Sequence, residues 1–107
     1  MKHAGPATFA RIPQLLAELR SRPALSEVRP GVFHLKSRAF LHFHDDASGI
    51  VADVRLADAF VRLPVTTASE QADLLERIDD CLSTVEARAS RRERGRDRQR
   101  EHPRRRR

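Results

Sequence analysis

The sequence predicts an α+β fold, a single domain in which a four-stranded antiparallel meander carries an N-terminal and a C-terminal helix on one face (α-β-β-β-β-α). Three observations predict it. Apolar residues recur at helical spacing before residue 22 and again after residue 67. Between residues 33 and 65 the apolar residues alternate with polar ones instead, as in strands covered on one face. The connections between these alternating segments are too short for crossovers, so neighbouring strands must be antiparallel.

The two helices have recognisable starts or ends. The first is predicted over residues 10–21 and ends before Pro23, because a residue that precedes proline is disfavoured in the α region. Its apolar face is formed by Phe9, Ile12, Leu15, Leu16 and Leu19. The second is predicted over residues 68–88 and begins with a capping box, in which Thr67 caps the helix and Glu70 reaches back. Its apolar face is formed by Leu74, Leu75, Ile78, Cys81, Leu82 and Val85.

Four alternating segments between the helices predict the strands. The alternating apolar residues are Phe33 and Leu35, then Leu41 and Phe43, then Ile50, Ala52, Val54 and Leu56, then Val61, Leu63 and Val65. Residues 24–30 are predicted to be a connector. We therefore expect one sheet face to pack against both helices and the other face to remain polar.

The positive charge of the chain is concentrated at its C-terminal end. The 107 residues have a formal net charge of +6, but residues 88–107 hold eleven arginines against three acids, so residues 1–87 are slightly acidic. We predict a compact domain over 1–87 and an Arg-rich tail over 88–107, disordered or a fraying helix, because the tail has too little apolar surface to fold. The tail residues expected to contact nucleic acid are Arg91, Arg92, Arg94, Arg104, Arg105, Arg106 and Arg107.

Composition excludes several classes of site. The single cysteine, Cys81, excludes an intramolecular disulfide and a multi-cysteine zinc site. The sequence has no apolar N-terminal signal and no long apolar run, so we expect a cytoplasmic protein that does not contact a membrane. Phosphate-binding glycine loops and nucleophile elbows are also missing, and no resident cofactor is predicted.

Strand register predicts a row of polar side chains on the open face of the sheet. Pairing Phe33 with Phe43 leaves a three-residue loop and places His34 opposite His42. Pairing Phe43 with Ala52 places His42 opposite Asp53, and pairing Val54 with Val61 places Asp53 opposite Arg62. The expected row is His34, His42, Asp53 and Arg62, flanked by Lys36, Phe40, His44, Val51 and Arg55.

Three interpretations of this row stay open. It is a solvated sheet face in which Asp53 pairs with Arg62, or a binding or catalytic site, or a metal site. In the second, His42 would be the acid–base group, Asp53 its orienting partner, and Arg55 or Arg62 a clamp for an anionic small molecule. The ligand-binding residues would then be His34, His42, His44, Asp53, Arg55 and Arg62. In the third, His42 and His44 have the spacing of a metal-binding pair, although no resident metal is predicted.

The hairpin also resembles known sequences. The stretch over residues 31–44, with Phe40-Leu41-His42-Phe43-His44 at its end, then Gly49 and the run Leu63-Pro64-Val65-Thr66-Thr67, is similar to that of small uncharacterised bacterial proteins. Over residues 38–56 it more distantly resembles the luciferase-type domain of unknown function. That family usually has a histidine after the turn glycine, where this chain has Asp53. The resemblance implies a compact αβ unit whose histidines are its most characteristic residues.

These observations lead to a small ligand-binding or auxiliary domain that uses the histidine-rich face of its sheet; whether it is an enzyme stays open. The alternative is a non-specific nucleic-acid-associated protein that acts through the arginine tail. A homodimer through the open sheet face or an edge strand is a further expectation, because the domain is small and apolar Val32, Phe40 and Val51 are expected among the polar residues.

Overall fold

A computed structural model describes residues 2–101 of the chain, with side chains over residues 3–92. Its elements are β1 (Lys2–His3), α1 (Pro6–Phe9), α2 (Pro13–Arg20), β2 (Leu25–Arg29), β3 (Val32–Leu35), β4 (Arg38–Asp46), β5 (Gly49–Arg55), β6 (Phe60–Pro64) and α3 (Ala68–Glu101). The α+β class and the antiparallel meander are therefore confirmed.

The sheet has more strands than the sequence pattern predicted. Five strands form the meander in the order β2-β3-β4-β5-β6, and the short β1 pairs with β4. The prediction of four strands was wrong because residues 24–30, predicted to be a connector, contain β2. Only Leu25 of that strand is buried, and its other side chains are exposed. An edge strand with so little burial shows no clear apolar alternation.

The β3–β4 hairpin is tighter than predicted and contains a bulge. Its turn has only two residues, Lys36 and Ser37, with φ of 53° and 65°. Phe33 pairs with Leu41, while the next residue, His34, pairs with Ala39, so β4 accommodates an extra residue at Phe40. A bulge turns the extra side chain away from strict alternation. Phe40 is consequently in the core at 2% exposure, and its predicted place on the polar face was wrong.

The β4–β5–β6 register follows the prediction. His42 pairs with Asp53, and Asp53 pairs with Arg62 on the far side. The β4–β5 turn ends at Gly49, whose φ of 139° suits glycine. A Cβ at this position would also collide with the Thr66 hydroxyl, which accepts a hydrogen bond from the Ile50 amide at 2.9 Å. These features fix the alternation of β5 and thus direct Asp53 to the open face.

Helices α2 and α3 cover the other face of the sheet. The first predicted helix, residues 10–21, corresponds to α2 (Pro13–Arg20), and the short α1 before it was not predicted. Helix α2 begins at Pro13, which needs no hydrogen-bond acceptor for its nitrogen in a first turn. The core combines α2 and α3 with the inward side chains of the sheet, among them Leu19, Phe33, Val54 and Ile78. Both helices therefore pack on one face, as predicted.

Helix α3 begins with the predicted capping box. The Thr67 amide donates to Glu70 Oε1 at 2.9 Å, and the Glu70 amide donates to Thr67 Oγ1 at 3.1 Å. The helix continues to Glu101, well beyond residue 88, so it includes Arg91, Arg92 and Arg94. Arg104, Arg105, Arg106 and Arg107 lie outside the described residues. Over residues 2–101, no helix combines the length and apolar character needed to cross a bilayer.

Candidate functional site

Two histidines and an aspartate form a compact cluster on the open face of the sheet. His42 and His44 are two residues apart on β4, so both side chains point to the same face. Asp53 faces them from β5, directly opposite His42. One nitrogen of each imidazole and one oxygen of the carboxylate all lie within 4.8 Å of one another. The sequence therefore brings three potential ligand atoms together through alternation and register alone.

Asp53 is the most enclosed member of this cluster, with 9% of the residue exposed. Arg62 holds both of its oxygens: Nε donates to Oδ1 at 2.8 Å and Nη2 donates to Oδ2 at 2.9 Å. These hydrogen bonds from a guanidinium lower the pKa of Asp53 and outweigh the opposing effect of its burial. Asp53 is therefore an ionised carboxylate at neutral pH.

The two histidines differ in how they face this carboxylate. Nε2 of His44 lies 3.0 Å from Asp53 Oδ2, whereas Nδ1 of His42 lies 4.0 Å from the same oxygen. His44 is also the more enclosed, with 13% of its side chain exposed against 36% for His42. The acid–base role considered for His42 needs an orienting partner within hydrogen-bond reach, and Asp53 stands at that distance from His44 instead.

His42 lies in an environment that favours a neutral imidazole. Burial lowers its pKa, and the neighbouring His44 adds to that effect, while Asp53 acts in the opposite direction. Its ring also stands next to Phe60, with 5.6 Å between the ring centroids. A neutral imidazole retains a free lone pair, which is the form that binds metal ions.

A third histidine stands beside the cluster and was not foreseen from the sequence. Strand β1 pairs His3 with His44, which places both on the same face, and their ring centroids are 5.3 Å apart. A two-residue strand has no periodicity of its own. It forms because β4 extends past the end of β3 and offers free backbone groups, so nothing in the sequence near His3 indicated this position.

Two other residues predicted for the site, His34 and Arg55, lie outside the cluster of His42, His44 and Asp53. The predicted pairing of His34 with His42 was wrong: His34 pairs with Ala39, because the two-residue turn and the bulge shift the β3–β4 register. The Arg55 guanidinium donates to the Ala39 carbonyl at 3.2 Å and lies 4.5 Å from the centre of the Phe60 ring. Arg55 is therefore engaged within the protein, as Arg62 is through Asp53.

Comparisons with protein families, with curated proteins and with solved structures found no match to this chain. The resemblance to small bacterial proteins and to the luciferase-type domain accordingly stays a prediction. The cluster of His42, His44 and Asp53 is therefore the basis on which a function can be assigned.

Proposed function

We propose that this protein is a small ligand-binding domain whose ligand is a divalent transition-metal ion of the zinc class, held by His42, His44 and Asp53. The observation that carries the proposal is the convergence of two imidazole nitrogens and a carboxylate oxygen within 4.8 Å on one sheet face. Two histidines and a carboxylate are a common ligand set for zinc sites that keep a fourth position open for water or substrate.

The distances suit such an ion after small adjustments. Zinc bonds to histidine nitrogen and carboxylate oxygen are about 2.0–2.2 Å long, so two ligands of a tetrahedral ion lie about 3.4 Å apart. The distances from Asp53 Oδ2 to His44 and His42 are 3.0 and 4.0 Å. Both are within about 0.6 Å of that tetrahedral separation. The third pair, the two imidazole nitrogens, lies within 4.8 Å, so rotation of the imidazole rings has to bring these two atoms closer together when the ion binds.

Arg62 has a defined role in this proposal. Its two hydrogen bonds fix the plane of the Asp53 carboxylate, as outer groups around metal ligands commonly do. Each carboxylate oxygen has a second lone pair, so Oδ2 can accept from Arg62 and still face an ion. The positive charge of Arg62 repels a bound cation and therefore lowers the affinity of the site. We expect a site that exchanges its ion with solution, not one that holds it permanently.

Isothermal titration of the full chain with zinc chloride tests the proposal. We expect one zinc ion per chain, with the affinity lowered about tenfold or more in His42→Ala and His44→Ala, because each variant removes one of three ligands. His34→Ala is the matched control, since it removes a histidine from the same sheet but outside the cluster. An equal loss in His34→Ala, or no loss in the two cluster variants, would contradict the assignment.

The second candidate function, non-specific nucleic-acid association, is favoured by one observation. Helix α3 continues past the core as a regular helix and presents Arg88, Arg91 and Arg92 as exposed side chains. Lined along a helix, such arginines would bind phosphates and release counterions irrespective of base sequence. Acidic residues interspersed in the same segment, and the acidic domain before it, argue against a sequence-specific reader.

The salt dependence of binding to a random-sequence DNA duplex tests this second function. Full-length Arg91→Gln/Arg92→Gln is compared with Arg11→Gln/Arg29→Gln, which removes the same charge from exposed positions of the folded domain. We expect only the first variant to flatten the slope of log K against log salt, by about 0.9 for each phosphate that an arginine no longer neutralises. Equal slopes in both variants would assign any binding to net charge.

Homodimer formation and binding of an anionic molecule at the histidine face stay predictions.

A further inference from the structure

A separate cleft of about 580 Å³ lies away from the histidine cluster, between the β3–β4 turn, the segment after β5 and helix α3. Its volume is in the range of small-molecule sites, about 300–1,000 Å³. Its lining combines apolar and charged side chains, and the apolar part is formed by Leu35, Phe40, Leu56, Cys81 and Val85. Burial raises the pKa of the Cys81 thiol, so this side chain is a neutral part of that surface.

The rim of the cleft is predominantly cationic. Two carboxylates lie on it, Asp58 and Asp80. Five cationic side chains also line the cleft: Lys36, Arg38, Arg55, Arg77 and Arg88. The domain over residues 1–87 carries more acids than bases, so this concentration of positive charge does not follow from composition.

Among the described side chains, three of the five cations form neither an ion pair nor a side-chain hydrogen bond. Arg77 pairs with Asp73 at 3.1 Å, and Arg55 donates to a backbone carbonyl. Within the side chains that the structure describes, Lys36, Arg38 and Arg88 have no carboxylate oxygen within 4.0 Å. These three approach the cleft from the β3–β4 turn and from α3, and each keeps its hydrogen-bond donors available.

We propose that this cleft binds a small amphipathic anion, a molecule with an apolar body and a single carboxylate or phosphate group. The apolar body would lie against Leu56 and Val85, which are partly exposed, and the anionic group would be held between Arg38 on β4 and Arg88 on α3. Phe40, which the bulge directs into the core, is also among the residues that line the cleft. The proposal does not depend on metal binding, because the cleft and the histidine cluster share no residue.

Amide NMR titrations of the full chain with three probes test both parts of the recognition. Octanoate carries an apolar body and a charge, 1-octanol only the body, and inorganic phosphate only the charge. We expect octanoate to shift the amides of Leu35, Phe40 and Cys81 saturably, and to bind about tenfold or more tightly than either of the other probes. Equal affinity for octanoate and 1-octanol, equal affinity for octanoate and phosphate, or shifts confined to other residues would each overturn the proposal.

Two charge-matched variants then separate the cleft from net charge. Arg38→Gln/Arg88→Gln removes two cations from the rim, whereas Arg11→Gln/Arg29→Gln removes two exposed arginines outside it. We expect the first pair to weaken octanoate binding about tenfold and the second less than about twofold. Equal weakening would show that net charge alone attracts octanoate and would overturn the assignment. Unchanged circular dichroism of both variants confirms that each is folded.

Discussion

Replacing Asp53 with asparagine isolates the contribution of one carboxylate to the polar face. The substitution keeps the size of the side chain but removes its charge and one of the two acceptors that Arg62 uses, at 2.8 and 2.9 Å. Hydrogen bonds to charged groups contribute about 1.5–3 kcal/mol when they are well buried. The Arg62 side chain is 48% exposed, which lowers the contribution of the pair towards the roughly 0.2–1 kcal/mol of exposed pairs.

Because Asp53 also lies 3.0 Å from His44 in an enclosed position, we expect Asp53→Asn to lower the free energy of unfolding by about 1–2 kcal/mol. For a domain of this size, that corresponds to a fall in Tm of about 4–16 °C. The chain has no Trp or Tyr, so unfolding is followed by circular dichroism, with EDTA present to exclude metal binding. Arg62→Gln and the double variant complete the cycle, and a coupling energy below about 0.3 kcal/mol would refute the reasoning.

Three further predictions concern stability and are measured by urea unfolding. Ser37→Gly should stabilise the protein by about 1 kcal/mol, because φ of 65° is unfavourable for serine but not for glycine; no gain would mean that the turn is not strained. Phe40→Ala should cost about 3–5 kcal/mol, because the bulge buries this ring in the core; a cost below about 0.5 kcal/mol would show that the ring is exposed. Arg20 holds the pKa of Glu27 below its ordinary value, so this stabilisation is present above about pH 4.5 and is lost as pH falls through the lowered folded-state pKa. In Glu27→Gln the free energy of unfolding should therefore change less with pH over this range, and an unchanged pH dependence would contradict the prediction.

The part of the site that depends on β4, β5 and β6 was predictable from the sequence. Apolar alternation in these strands is regular, and a one-residue slip would move every apolar side chain to the wrong face. Glycine at position 49 also fixes where the β4–β5 turn ends. The pairs His42 with Asp53 and Asp53 with Arg62 follow from that regularity, before any side-chain contact is known.

The predictions that were wrong concern residues at which the strands depart from regular alternation and pairing. The preferred residues for a two-residue turn are asparagine and glycine, so Lys36 and Ser37 gave no indication of one. Phe40 is apolar whether a bulge directs it inward or alternation directs it outward, so its identity does not locate the bulge. His3 lies beside the site because β1 pairs with β4, a strand distant in sequence, and the residues around His3 give no indication of that pairing.

The great length of α3 has a consequence for how the molecule melts. Among the α3 side chains described, up to residue 92, the last that lines the core or the cleft is Arg88, and the backbone continues as helix to Glu101. At about 1.5 Å per residue, this distal segment spans about 20 Å, and an isolated helix of that length is marginal in water. We therefore expect two populations of helical signal, with amide hydrogen exchange along α3 becoming faster after residue 88. On heating, a gradual loss of dichroism at 222 nm before the main transition would then come from unfolding of the distal turns of α3. The cooperative transition that follows would come from unfolding of the sheet and its core.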